Sequence, residues 1–269
     1  MSAGTPSLEL PLSVLVALWL PTVRDEVSAR RAAESIRAGE HPPRVHHSHG
    51  SEFPETSDST QALATMLHAL APAQQVAAVL PRPGDLMGSP ATCSADLLEA
   101  GEGVVVLGAA GAEARVAIPH IEVFGSALES GEIVHWRFHR LHAEPASASR
   151  ILGGIESVAH ARREITRALT DAVEILEALD VARERPDLAD DVLDLSLAHL
   201  DAQLMPPDLD TRTLDLLERS ARLLGIVELA QSDTGAAVTA VSIDTRAGAL
   251  GEIARQARHA LAAASAHRV

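Results

Sequence analysis

The sequence predicts an α+β protein: an N-terminal domain of helices and a small sheet over residues 1–145, then a C-terminal antiparallel helical bundle over residues 151–269. Three observations lead there. Short apolar runs bounded by Gly and Pro crowd residues 74–142, as strands do. Beyond residue 150 the apolar residues recur at spacings of three and four, the period of a helix with one buried stripe. Aromatic residues make up only 2% of the chain against 46% hydrophobic, so the core must be built from Leu, Val, Ile and Ala. Ala favours helix because it loses no side-chain entropy there.

In chain order, a first helix is expected from near Pro11 to Gly39, apolar on every side in its early turns and charged later. Gly39 and then Pro42–Pro43 stop it. The stretch "HHSHGSEFPETSDST" (46–60) reads as a long polar loop, with too few apolar residues to offset its ordering entropy. A short helix follows over "TQALATMLHALA". Strands are expected at "QQVAAVLP", "GVVVLG", "EARVAIPHIEVFG" and "GEIVHWRFHRLH". Between the first two, "RPGDLMGSPATCSADLLEAGE" supplies a turn and a short helix near "SADLLEA", and "LGAAGAE" (107–113) reads as a hairpin turn. "AEPASASR" (143–150) reads as a linker of small residues. After it, Val158, Ala161, Ile165, Ala168, Ala172, Ile175 and Leu179 fall on one stripe. Further helices are expected near 187–203, 210–230 and 236–265, broken by "RERP", "MPPDL" and "SDTG". Such short connections make consecutive helices antiparallel.

Composition removes several function classes. The chain has no Lys, Asn or Tyr, and all 22 basic residues are Arg. Without lysine there is no P-loop lysine, no Schiff-base nucleophile and no kinase-type ATP lysine. The formal charge is −15, with 10 Arg against 17 acids up to Arg150 and 12 against 20 after it. Both halves would repel a phosphate backbone, so no nucleic-acid partner is expected. The single cysteine, Cys93, allows neither an internal disulfide nor a cysteine-based zinc site. "LPLSVLVALWLPTV" (10–23) is too short to span a bilayer, and no basic residue precedes it to make a signal peptide. A cytoplasmic protein without a membrane partner is expected.

Four segments carry a likeness: "AVLPRPGD", "LLEAGEGVVV", "LDVARERPDL" and "RLLGIVELA", in that order. With them the chain resembles a family of uncharacterised actinobacterial proteins that have an LPxPGD turn, an ALxAGE segment, an LDVARxRP connection and an LPPG-type turn. The likeness runs from about Ala78 onward. Asp187 stands where that family tends to have Glu, and "MPPD" replaces the LPPG-like turn. The resemblance implies organisation and origin and carries no mechanism.

Candidate sites are few. "HPPRVHHSHG" (41–50) holds four of the 13 histidines, and His46, His47 and His49 with Glu52 or Asp58 have the chemistry for zinc or nickel. Neighbouring side chains in a loop point apart, however, and no HExxH or paired-cysteine motif is present, so a solvated loop and no metal are expected. In "IVHWRFHRLH" a period of two puts Val134, Trp136 and Phe138 on one face and His135, Arg137 and His139 on the other. The second face could hold a phosphate, a carboxylate or, with His120, a metal, or be the ordinary polar face of a half-covered sheet. Arg82 and Asp85 of the "RPGD" turn follow a strand, where loops often hold ligands, or they simply make the turn. Asp187, Asp190, Asp191, Asp194 and Asp201 share one helix face, expected to be solvated because no Glu-x-x-His pairs face them. No G-x-S-x-G elbow or G-x-G-x-x-G loop occurs, and no histidine neighbours Cys93 in sequence.

The expected function is therefore a non-catalytic protein-binding or assembly module without a cofactor. Its partner would be another protein or a second copy of the chain. The competing expectation is an enzyme or small-molecule or anion sensor whose ligand-binding residues are Arg82, Asp85, His135, Arg137 and His139.

Overall fold

A computed structural model of the chain describes residues 8–40, 43–49, 53, 56–108, 114–126, 129–141, 145–178, 193–232 and 240–268. The chain divides into two compact units. One comprises 10–155, 202–209 and 265–269; the other comprises 1–9, 156–201 and 210–264. Together they make a mixed α+β protein.

The first unit is built on a six-stranded sheet of order β1-β5-β4-β3-β2-β6. Its strands are β1 (Arg44–Ser48), β2 (Ala73–Val79), β3 (Gly103–Gly108), β4 (Ala114–Ser126), β5 (Glu129–Arg140) and β6 (His267–Arg268). β2 to β5 run as an antiparallel meander, as their alternating or fully apolar sequences require. β1 joins the meander in parallel with β5, and β6 pairs with β2. Neither outer strand is expected from the sequence, because their apolar signal is short and their partners are distant in the chain.

The expected first helix is two. α1 (Leu12–Trp19) is buried along its whole length, as its unbroken apolar run demands. Pro21 and an extended Val23 end it through a 3-10 turn. α2 (Glu26–Ala38) restarts under a capping box in which Asp25 accepts from the Ser28 backbone and the Ser28 hydroxyl serves the Asp25 N–H. α3 (Ser59–Leu70) is capped by Asp58, and α4 (Ser94–Ala100) ends at Gly101 with φ +74. The expected linker at 143–150 instead enters α5 (Pro145–Gly154), whose Ile151 and Leu152 are buried.

Register settles which residues share a face. Ala77, Val79, Val105, Val116 and Ile118 line one face and are covered by Cys93 and Leu97 of α4 and by Ile151 and Leu152 of α5. Val134 and Trp136 lie on the opposite face and are fully buried, with α1 packed on β2 and β3 and α3 on β1. β4 and β5 outrun their neighbours: β3 pairs only as far as Ala117, whereas the β4–β5 ladder continues to Ser126. Pro119 sits just past that point, where its missing N–H serves no β3 partner.

Within the expected histidine loop, residues 44–48 are strand. His46 is buried: its Nε2 lies 2.5 Å from Glu40 Oε1, and its Nδ1 accepts from Trp136 Nε1 at 3.1 Å. Accepting from the indole requires Nδ1 to be bare, so Nε2 carries the proton and donates to the Glu40 carboxylate. Glu40 also accepts from the Arg44 backbone, while Arg44 and Glu132 pair across the strands at 2.6 Å. The loop expectation fails here because parallel pairing supplies hydrogen bonds and burial that local composition does not reveal.

The second unit is helical in its long described segments: α6 (Val158–Ala178), α7 (Thr211–Ser232) and α8 (Ala240–Ser265), with a short helical stretch at 193–197. Ala161, Ile165 and Ala168 of the expected stripe are buried, and α6 packs on α7 beside an Arg162–Asp215–Arg219 ion-pair network at 2.9 Å. Leu179, the 107–113 turn beyond Gly108, and Asp187, Asp190 and Asp191 of the acidic face lie outside the described residues; Asp194 and Asp201 are exposed.

His46→Ala should lower unfolding stability by roughly 3 kcal/mol, because it takes the imidazole partner from a buried carboxylate oxygen and leaves an indole N–H unpaired. His47→Gln and His49→Gln, at half-buried and exposed positions, should each stay within about 0.5 kcal/mol of wild type. Urea unfolding of the three variants decides it; equal losses at all three positions would refute the buried relay.

Candidate functional site

On the face covered by α4 and α5, the strands also carry a row of polar side chains: His47 from β1, His120 and Glu122 from β4, and His135, Arg137 and His139 from β5. Cross-strand register makes this a continuous surface: His47 is opposite His135, and His135 is opposite His120.

The site has two parts. At the β1 edge, His49 Nε2 lies 2.8 Å from His135 Nδ1, and His135 Nε2 lies 3.3 Å from Glu122. His47 stacks on His135 with ring centroids 5.8 Å apart. Burial and then the neighbouring His135, His47 and Arg137 push the His49 pKa below its ordinary value. The His49–His135 contact is a ring-to-ring hydrogen bond whose donor is set by the two tautomers.

Nearer the helix, Asp96 gathers three basic groups. Arg137 donates to its Oδ1 at 2.9 Å, His139 Nε2 stands 2.7 Å from Oδ2, and His120 Nε2 stands 2.9 Å from Oδ1. The His120 approach lacks hydrogen-bond geometry, and its Nε2 is a buried nitrogen with no hydrogen-bond partner among the described residues. Glu99 lies one helical turn beyond Asp96 on α4. Atoms of Asp96, Glu99 and His120 come within 4.8 Å of one another. Burial pushes the Asp96 carboxyl up, but the His139 bond, His120 and Arg137 outweigh it and hold the carboxyl below its ordinary range.

Of the expected site residues, His135, Arg137 and His139 do share one face. Arg82 and Asp85 bridge each other through their backbones at 2.9 Å, and Arg82 donates from its guanidinium to the carbonyls of Pro81 and Gly101. A Cβ at Gly101 would collide with that guanidinium. Arg82 thus meets the C-terminal end of α4, whereas Arg137 and His139 meet its first turn at Asp96. Sequence reasoning passed over Asp96 and Glu99, whose i, i+3 spacing beside a His-bearing strand was the available signal. Cys93, at the N-cap of α4, is buried with its thiol pushed up to about 11 by burial, which argues against a nucleophile.

Two measurements follow. A carboxyl held below its ordinary range stabilises the fold above about pH 4 and loses that contribution as the pH falls through its lowered value. The stability gap between wild type and Asp96→Asn, on the order of 1 kcal/mol after solvent screening, should therefore be present at pH 5 and close toward pH 2. A gap independent of pH would sink this account. Cys93 should resist a disulfide reagent at pH 8 in the folded protein and react fully in denaturant; fast native reaction would contradict its burial.

No described helix is long and apolar enough to cross a membrane. No curated protein and no solved structure matches the chain. Residues 13–149 match the family described as "Rv1486c-like protein, N-terminal domain", and residues 159–262 match "Rv1486c-like protein, C-terminal domain". Those two matches take in most of the chain, and it belongs to the Rv1486c-like protein family.

Proposed function

We propose that the protein is a cytoplasmic, non-catalytic assembly module whose partner is a second copy of itself. Its α+β domain (1–145) would carry the interface, and its C-terminal domain (151–269) would be an antiparallel helical bundle. The supporting observation is the projecting β4–β5 ribbon. Ile121, Val123 and Phe124 are exposed there, Val123 to 66%, and Val45 is exposed on the neighbouring edge strand. Ile121 and Val123 fall on one face of the ribbon, and exposed large apolar side chains on a projecting face are the kind of surface that partners cover. Two copies meeting about a twofold axis would bury the Ile121–Val123 side of each ribbon against the other, closing the assembly at two.

A second reading, which takes Arg82, Asp85, His135, Arg137 and His139 as candidate binding residues, puts a small ligand at the His135–Arg137–His139 end of that set, because Arg82 is engaged at the far end of α4. The converging Asp96 and His120 favour it. An anion would have to compete with Asp96 for Arg137, which makes a cation the better fit to the Asp96 end.

Sedimentation velocity over a concentration series tests the first reading. Wild type should shift from monomer to dimer, and Ile121→Asp/Val123→Asp should stay monomeric with an unchanged melting temperature. A wild type that remains monomeric throughout overturns self-assembly.

A further inference from the structure

We propose that Asp96, Glu99 and His120 form a zinc-binding site at the edge of α4. The proposal rests on the ligand-binding reading and is independent of assembly through the ribbon. Its basis is geometric. Two carboxylates one helical turn apart and one imidazole from the facing strand bring their donor atoms within 4.8 Å of one another. Ligands of a tetrahedral zinc ion stand roughly 3.3 Å apart, given zinc–donor bonds of about 2.0–2.2 Å. Asp96 Oδ1 and His120 Nε2, at 2.9 Å, are already near that separation. Glu99 is exposed and can close the remaining gap by a rotamer change.

The chemistry points the same way. His120 Nε2 is buried beside a carboxylate without a hydrogen bond to it, an arrangement that a cation between them would relieve. One imidazole with two carboxylates suits zinc, whereas magnesium and calcium favour all-oxygen sets. His139, on the far oxygen of Asp96, would orient that carboxylate from the outer shell. Arg137 opposes the ion by holding Asp96, but its side chain is 52% exposed and an exposed ion pair releases at little cost. Three protein ligands leave a fourth position for water.

Calorimetric titration of the full chain with zinc, paired with thermal melts, tests this. Wild type should bind one zinc and melt higher, and a chelator should reverse the gain. Glu99→Gln and His120→Gln should each weaken binding about tenfold or more, with Glu99→Gln melting like wild type without metal. Arg137→Gln should tighten binding roughly two- to fivefold by removing the competing cation. The double variant His47→Gln/His49→Gln should bind as wild type does. Absence of zinc binding, binding indifferent to Glu99 and His120, or binding lost in the His47/His49 variant would each overturn the site. A melting-temperature rise with inorganic phosphate while zinc is silent would reject the metal yet leave the ligand-binding reading standing.

Discussion

One buried hydrogen bond organises the functional surface: the indole of Trp136 donating to His46. It seals a chain of groups from Trp136 through His46 to Glu40 inside the protein, all of them in low dielectric and all partnered. That chain fixes β1 against β5 in one register, because sliding by one residue would drag His46 into water and bury His47 in its place. With His46 committed inward, the pleat sends His47 to the other face beside His135. A single inward imidazole thus dictates that the next one faces outward.

The same alternation was readable in β5, where Trp136 and Arg137 fall on opposite faces in any strand, and the consecutive strands of the meander were readable because each pairs with its neighbour. What local sequence could not convey was long-range pairing. β1 meets a strand some 90 residues away, and nothing in "RVHHS" distinguishes a paired segment from a solvated one. Likewise "HR" at 267–268 is too short to carry any periodic signal, yet it completes the sheet. "AEPASASR" has a linker's composition, but Pro suits the first turn of a helix and Ala sustains it, so tertiary packing of Ile151 and Leu152 decides the matter. Asp96 fared similarly: a first-turn acid reads as helix electrostatics until the fold sets it beneath three basic side chains.

Asp96 also explains how an acidic chain carries a row of histidines and an arginine on one surface. One carboxylate, partly withdrawn from solvent, serves Arg137, His139 and His120 together, so the row is locally compensated and not a patch of naked positive charge. An incoming ligand would meet a prearranged network and would have to rewire it. Recognition there is a contest among partners for Asp96, which favours groups able to replace a cation.

The path of the chain has a further consequence for biosynthesis. The sheet's last strand is drawn from residues 267–268, and the hydroxyl of Ser265 accepts from the backbone of Ala78 in β2. Between β5 and that strand lie the three long described helices of the second unit. A ribosome therefore releases most of the sheet-bearing unit early but withholds its final strand until those helices have been synthesised. During that interval β2 presents an unpaired edge, the feature through which nascent sheets join the wrong neighbour. Splicing the second unit into the first by sequence makes completion of the sheet conditional on the helical segment having emerged, so that a truncated translation product would carry an open edge as its mark.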